Sequence, residues 1–381
     1  MEEIFVTRQA IYDSHCEVVG YELLYHDGSA CHAYPCTDAE QSAQLIVNTF
    51  LGIGLENLVG SNKAFINLSH DFFSNAHPIP MASYQLVLEI SGACLKDERV
   101  YQELKQLAKQ GYTFSLYDYE YEEATAGRLD CIDIVKLDLS RYNAVELKEQ
   151  TRYYRNHGKR LQVKGLSTEA QQLLCSQLGI DYFQGDLLKA ADRVRGEIPG
   201  CNRDVLQAIA GSAQEIAALA TLVSQDVVLC YKLLRYINCA SFSERSEIHS
   251  LQQALALIGG PILKQWAALL LTAQMHEAPC NTRNSRALIR AAMCRQLAKT
   301  DSRLPADEAF LVGLLSTLDE VLETPMADLL DSMALSPEIA FALLFQEGPL
   351  GHLLQQVEHI EKEEWSGLDT SRSTLQHIQV E

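Results

Sequence analysis

Positive charge is what this chain of 381 residues lacks most. It carries 31 Lys and Arg against 50 Asp and Glu, a formal net charge of −19. Binding nucleic acid through its phosphates takes a surplus of basic side chains, and no basic run offsets the deficit, so nucleic acid is excluded as a partner class. Long apolar runs are also missing. The longest apolar block, at 267–271, falls well short of the roughly 18 residues that span a bilayer. The first residues, Met1-Glu2-Glu3, are acidic and do not resemble a signal segment, so a cytoplasmic protein with no membrane span is expected. The eleven cysteines contain no CxxC pair. The closest two are Cys31 and Cys36, and no His/Cys set stands at zinc spacing. That removes a disulfide or structural-zinc framework and leaves reduced, mostly buried thiols as the expectation.

What the chain does have is a hydrophobic content of 47%, which rules out a mainly disordered polymer, and a length that suits two domains. Up to about residue 190, short runs rich in β-branched and aromatic residues alternate with helical patterns. The runs predict strands near 5–12, 18–25, 64–68, 84–90, 113–117, 132–137, 160–163 and 182–185. Helices are expected over 38–54, 97–110, 143–157 and 167–178, and Gly111, Gly158 and Gly179 follow three of them as terminating glycines. A short turn at Ser14-His15 makes the first two strands a hairpin. Eight strands with interleaved helices predict an α/β fold, a (β/α)₈ barrel with an irregular start. Beyond about residue 202 the strand signal vanishes. Amphipathic helices are expected over 203–225, 226–238, 250–258, 261–276, 284–299, 305–323 and 336–346, punctuated by Gly259-Gly260-Pro261, Pro305, Pro325 and Pro337. The resulting partition is a barrel over 1–194, a linker over 195–201 and an all-α domain over 202–381. The end from Glu358 reads as a closing helix followed by a polar tail.

In such a barrel the functional face lies at the carboxyl ends of the strands. Those ends carry Glu22, Asn67, Glu89, Asp118, Lys136 with Asp138, Lys164 and Gln184. Any one of them alone reads as a strand end in solvent. Together, two glutamates, an amide and an aspartate converging on one face suit a hard divalent cation.

Several of these residues lie in recognisable motifs. The segment Glu17-Val-Val-Gly-Tyr-Glu22-Leu-Leu24 resembles the opening motif of the EAL domain, the cyclic di-GMP phosphodiesterase family. Phe65-Ile-Asn67-Leu-Ser69, Leu88-Glu89-Ile90, Asp133-Ile-Val-Lys136-Leu-Asp138 and Phe183-Gln184-Gly185 resemble its later motifs, in the right order over about 185 residues. The departures fall on the metal-binding set that the resemblance implies. The first of the family's two adjacent aspartates is Tyr117, next to Asp118. A later glutamate is Lys164, and the arginine that follows the first motif is His26. Losing two carboxylates and gaining an ammonium moves the site by about three units toward positive charge, each unit worth roughly 4 kcal/mol at 4 Å in an effective dielectric near 20. Two-metal hydrolysis needs both cations held about 4 Å apart, so the site is expected to be degenerate, with Lys164 pairing with Glu89 or Glu22 where a cation would sit.

The helical half resembles the HDOD domain. Asp226, Lys232, Leu233, Leu234, Asn238 and Ala240 fall on its pattern, and Ser250-Leu-Gln-Gln-Ala-Leu-Ala-Leu-Ile-Gly259 resembles the segment that follows. Where related metal-dependent hydrolases carry His-Asp, this chain has Ser316 and Thr317, so no metal centre of that type is expected. His249, His276, His352 and His359 are not at ligand spacing. Asn238 is expected to brace a helix turn, and Trp266, on an apolar stripe, to be core.

The two resemblances together imply a bacterial signal-transduction protein, a degenerate phosphodiesterase acting through protein–protein interactions with a regulatory protein partner. Homodimer formation and cyclic di-GMP binding remain open at this point. Neither a catalytic residue nor a metal or other cofactor is expected. Two alternatives stand beside this reading: an active cyclic di-GMP phosphodiesterase using Mg or Mn with atypical ligands, and a noncatalytic cyclic di-GMP sensor.

Overall fold

A computed structural model describes residues 2–25, 36–74, 79, 83–119, 125, 127–212, 215–239, 247–273, 282–301 and 303–361. The chain divides into two compact units that meet in sequence at Ile198 and Pro199.

The first unit is a closed barrel. Its strands are β1 (Glu2–Asp13), β2 (Val18–Tyr25), β3 (Lys63–Asn67), β4 (Leu86–Ser91), β5 (Thr113–Tyr117), β6 (Ile134–Asp138), β7 (Arg160–Lys164) and β8 (Tyr182–Phe183). Strands β2 to β8 run parallel in sequence order. The expected hairpin at Ser14-His15 makes β1 antiparallel to β2, and the last two residues of β1, next to that turn, pair antiparallel with β8 to close the ring. The irregular start is therefore one reversed strand of twelve residues, with β2 on one edge and β8 on the other. Tight turns cannot join parallel strands, so helices cross between them. The longest are α1 (Ala39–Val47), α2 (Glu98–Lys109), α3 (Ala144–Asn156) and α4 (Glu169–Gln177). Each has a sequence-encoded start. Asp38 and Asp97 cap α1 and α2, while Asn143 with Glu146 and Thr168 with Gln171 form capping boxes on α3 and α4. Gly111, Gly158 and Gly179 follow three of these helices with positive φ, the conformation that ends a helix and disfavours other residues.

A ninth strand, β9 (Asp192–Ile198), pairs with β1 outside the ring. It occupies the first part of the stretch expected as a linker. The sequence Asp-Arg-Val-Arg-Gly-Glu-Ile alternates in burial, and its backbone groups find partners along the free edge of β1.

The second unit is all helical: α5 (Arg203–Gly211), α6 (Ile216–Ser224), α7 (Val227–Cys239), α8 (Leu251–Ile258), α9 (Gly260–Thr272), α10 (Thr282–Thr300), α11 (Ala306–Leu315), α12 (Leu318–Leu322), α13 (Met326–Asp331), α14 (Pro337–Phe345) and α15 (Gly348–Glu361). Two of the expected helices are split. The 203–225 run breaks after Gly211, and the 305–323 run breaks at Ser316-Thr317. The last helix begins ten residues before Glu358. Gly348-Pro349 reads as a breaker, yet proline in a first helical turn lacks only an N–H that has no intrahelical partner there. Trp266 is buried and stacked on Tyr236 at 5.9 Å, as a core residue should be. Among the described residues no single helix is long and apolar enough to cross a membrane, and the two apolar helices α8 and α9 meet at 93°.

Candidate functional site

Inside the barrel, the alternation of strand side chains directs a set of polar groups inward. Glu22 on β2, Asn67 on β3, Glu89 on β4, Ser115 on β5, Lys136 on β6, Gln162 on β7 and Gln184 just after β8 are all buried. Parallel register sets Asn67 beside Glu89, Glu89 beside Ser115, and Lys136 beside Gln162.

Lys136 is the centre. Its ammonium lies 2.7 Å from Glu22 Oε1 and 2.8 and 3.0 Å from the two oxygens of Glu89. Gln184 donates to the other oxygen of Glu22 and, at 3.0 Å, to Gln9 Oε1, and it accepts from Gln162 Nε2 at 2.9 Å. All four carboxylate oxygens of the pair therefore already accept a hydrogen bond from the protein itself. Burial raises both carboxyls, but the outcome differs. For Glu22, Lys136 and the hydrogen bonds more than offset burial and hold the group down at about 2. For Glu89, burial and repulsion from Glu22 prevail over Lys136 and push it up to about 8. Lys136 loses from burial but gains more from the two carboxylates, and it is held firmly protonated.

The residues at the strand ends form a second tier. Lys164 does not reach Glu22 or Glu89 as expected; it pairs with Asp138 at 3.4 Å. Register explains the difference. Asp138 stands directly opposite Lys164, two residues beyond Lys136 on β6, so Lys164 sits one layer above the buried pair. Asp118 is also outside the cluster. It has a left-handed backbone, φ 50°, and pairs with Arg141 Nη1 at 3.2 Å. Tyr117 shares a hydrogen bond with Asn67, and burial pushes its phenol up to about 12, so a neutral hydroxyl stands where the resemblance places a carboxylate. His26 lies outside the described residues.

Gln9, Gln162, Ser115 and Arg141 are the members that sequence reasoning missed. The available signal was an amide or hydroxyl inside an otherwise apolar strand, as in Arg160-Leu-Gln162-Val-Lys164. Asn67 Oδ1, Ser115 Oγ and Gln162 Oε1 are buried and have no hydrogen-bond partner. Among the described residues, no three His, Cys, Asp or Glu side chains converge to hold a metal. Glu22 and Glu89 share the single ammonium of Lys136, Asp138 pairs with Lys164, and Asp118 with Arg141.

In the helical unit, Asp226 caps α7 by accepting from the backbone N–H groups of Val228 and Leu229, and its other oxygen accepts from Asn202 N at 2.8 Å. Lys232 is buried and donates to the carbonyl of Pro199. Asn238 donates to the carbonyl of Ser332, the residue that follows α13, at 3.2 Å. His249 pairs with Glu308 at 3.1 Å. Ser316 accepts from Arg290 Nη1 at 3.0 Å. His276 lies outside the described residues.

An (β/α)₈-type barrel with a polar interior, followed by a helical region, is the class this architecture defines. Residues 196–330, nearly all of them in the helical unit, match the family model of the HDOD domain. Over 97% of its length it is 28% identical to the cyclic di-GMP phosphodiesterase CdgJ of Vibrio cholerae, covering 87% of that protein. It is 25% identical to the uncharacterized protein YuxH of Bacillus subtilis, over 95% of this chain and 91% of that one. Half of the chain also superimposes on 56% of the Bacillus subtilis YkuI protein, with an EAL domain, solved with substrate c-di-GMP and calcium, at 18% identity and a TM-score of 0.40.

Proposed function

We propose that this chain is a catalytically inactive signalling relative of the cyclic di-GMP phosphodiesterases and acts by binding a regulatory protein in the bacterial cytoplasm. One observation carries the reading: around the buried cluster, in which Glu22 and Glu89 share the single Lys136 ammonium, a hydroxyl and a second ammonium stand where the resemblance places carboxylates. A lysine belongs to the resembled motif as well; what differs here is its surroundings. Tyr117 supplies a hydroxyl instead of a carboxylate, and Lys164 adds a cation that engages Asp138. A pair of divalent cations needs several unneutralised oxygen ligands, and the donor set fits Mg or Mn poorly.

The test is turnover of cyclic di-GMP by the purified protein in Mg²⁺ and in Mn²⁺. No linear product is expected. Hydrolysis that disappears in Glu22→Ala overturns the proposal. The name of CdgJ favours a second reading in which the nucleotide is still bound or cleaved. Calorimetry separates the two: heat of binding without product makes the barrel a sensor, and no heat leaves it a protein-binding module.

A further inference from the structure

Helix α14 is apolar on both its faces. Apart from Glu338, every residue of Pro-Glu-Ile-Ala-Phe-Ala-Leu-Leu-Phe is apolar. Ile339, Ala342 and Leu343 are buried and form the stripe that faces the core. The other face is open. Phe341 is 45% exposed, Leu344 39% and Phe345 61%, and the two phenyl rings lie 5.0 Å apart. The three stand at i, i+3 and i+4, so they are contiguous on the helix surface. Elsewhere among the described residues the exposed large apolar side chains come one to an element. A single exposed apolar residue is ordinary, whereas a contiguous cluster marks a contact surface.

The described part of the chain ends beside this face. Gln346, the residue after Phe345, donates from Nε2 to Glu358 Oε2 at 3.1 Å. Glu358 stands one turn before Glu361, the last residue of α15. Both carboxylates are held by Arg290 of α10, at 3.1 and 2.6 Å, and the Arg290 side chain is only 7% exposed. The carboxyl ends of α14 and α15 are therefore neighbours, fixed by one buried guanidinium. Residues 362–381 continue from that corner, and their sequence opens Lys-Glu-Glu-Trp365-Ser-Gly-Leu368. The four residues from Glu361 to Trp365 span about 13 Å when extended. That is the length of α14 itself, nine residues at about 1.5 Å each.

The size of the face decides between occupants. At roughly 200 Å² for a phenylalanine side chain, the open parts of Phe341, Leu344 and Phe345 amount to about 300 Å². A stable complex of separate chains buries about 800 Å² on each partner, so this face is too small to hold a second copy by itself. A tethered segment needs far less contact, because its attachment sets a local concentration on the order of millimolar.

We propose that the open face of α14 is the docking site for residues 362–381 of the same chain, with Trp365 and Leu368 seated over Phe341, Leu344 and Phe345. The docking is separate from the barrel, and neither outcome of the turnover assay bears on it.

Trp365 is its own reporter. The chain has two tryptophans, and the other, Trp266, is buried against Tyr236. Subtracting the emission of full-length Trp365→Phe from that of the unaltered protein isolates Trp365. Acrylamide should quench it at least about fivefold less efficiently than it quenches a synthetic peptide of residues 362–381. Phe341→Ser/Phe345→Ser should abolish that protection, while Phe345→Leu, which stays apolar, should keep most of it. Quenching equal to that of the free peptide overturns the proposal, and this comparison needs no variant of the face. Protection that survives Phe341→Ser/Phe345→Ser in a protein of unchanged circular dichroism also overturns it, because the segment would then lie elsewhere. Protection that fades on about hundredfold dilution would mean that the segment crosses to a second copy, and it too overturns docking within one chain.

Discussion

At the scale of single residues, the barrel interior is governed by how one ammonium is shared. Glu22 and Glu89 are buried within reach of the same Lys136 Nζ. Removing one member of a buried ion-paired set leaves uncompensated charge, which costs about 3–5 kcal/mol. Lys136→Met should therefore destabilise the barrel by about that amount in urea denaturation. The loss should be greater at about pH 8 than at about pH 5, because the two orphaned carboxyls can take up protons in acid. The pair also predicts a pH dependence of its own. Glu89 has its folded-state value raised from the ordinary 4.5 to about 8, so its contribution to stability is complete below about pH 4.5 and is lost as pH rises through about 8. Glu22, lowered to about 2, contributes above about pH 4.5 and loses that contribution as pH falls toward 2. Thermal unfolding of Glu89→Gln followed from about pH 5 to 8 should show a flatter profile than the unaltered protein. A profile as steep as wild type would place the raised carboxyl elsewhere. Of these residues, Glu22, Asn67, Glu89, Lys136 and Gln184 were legible in the sequence because they stand in motifs at strand ends. Gln9 and Gln162 were not, because an amide within a strand carries no mark of which face it takes until the register is known.

At the scale of elements, the chain's punctuation proved reliable where it acts locally. Asp38, Asp97, Asn143 and Thr168 start their helices in the barrel through hydrogen bonds to nearby N–H groups. Asp226 does the same for α7 and also holds the backbone of Asn202. Asp226→Ala should therefore cost about 1–2 kcal/mol in the helical unit, more than a solvent-exposed cap, because a buried donor is left without its partner. Calorimetry of the variant checks this; a change within error would mean that Asn202 finds another acceptor. Elsewhere the meaning of such punctuation is positional. Gly348-Pro349 opens α15, whereas Gly259 closes α8. The expected linker, 195–201, overlaps residues 192–198, with their glycine and alternating charges. They form β9 because β1 offers an edge to pair with, and an edge is not visible in the sequence of the strand that fills it.

At the scale of the whole molecule, two units with separate buried cores are joined at Ile198 and Pro199. Domains with their own cores unfold with their own midpoints. Differential scanning calorimetry should resolve two transitions, with Lys136→Met lowering one and Asp226→Ala the other. A single transition shifted by both variants would show that the units unfold together. Both units repeat one chemical theme. A basic side chain, Lys136 in the first and Arg290 in the second, is buried between two glutamates.

The sequence alone determined the class of each half, since strand and helix periodicity are local properties. It also determined most of the polar residues gathered in the barrel, since they lie in ordered motifs. The tertiary structure decided which charge meets which. Lys164 and Lys136 lie on neighbouring strands and are both flanked by apolar residues. Only the pairing of Asp138 with Lys164, and of Lys136 with Gln162, places one ammonium at the strand ends and the other between the two buried glutamates. The reason is geometric: ion pairing falls off over a few ångströms, and those distances are set by strand register and barrel closure rather than by the order of residues along the chain.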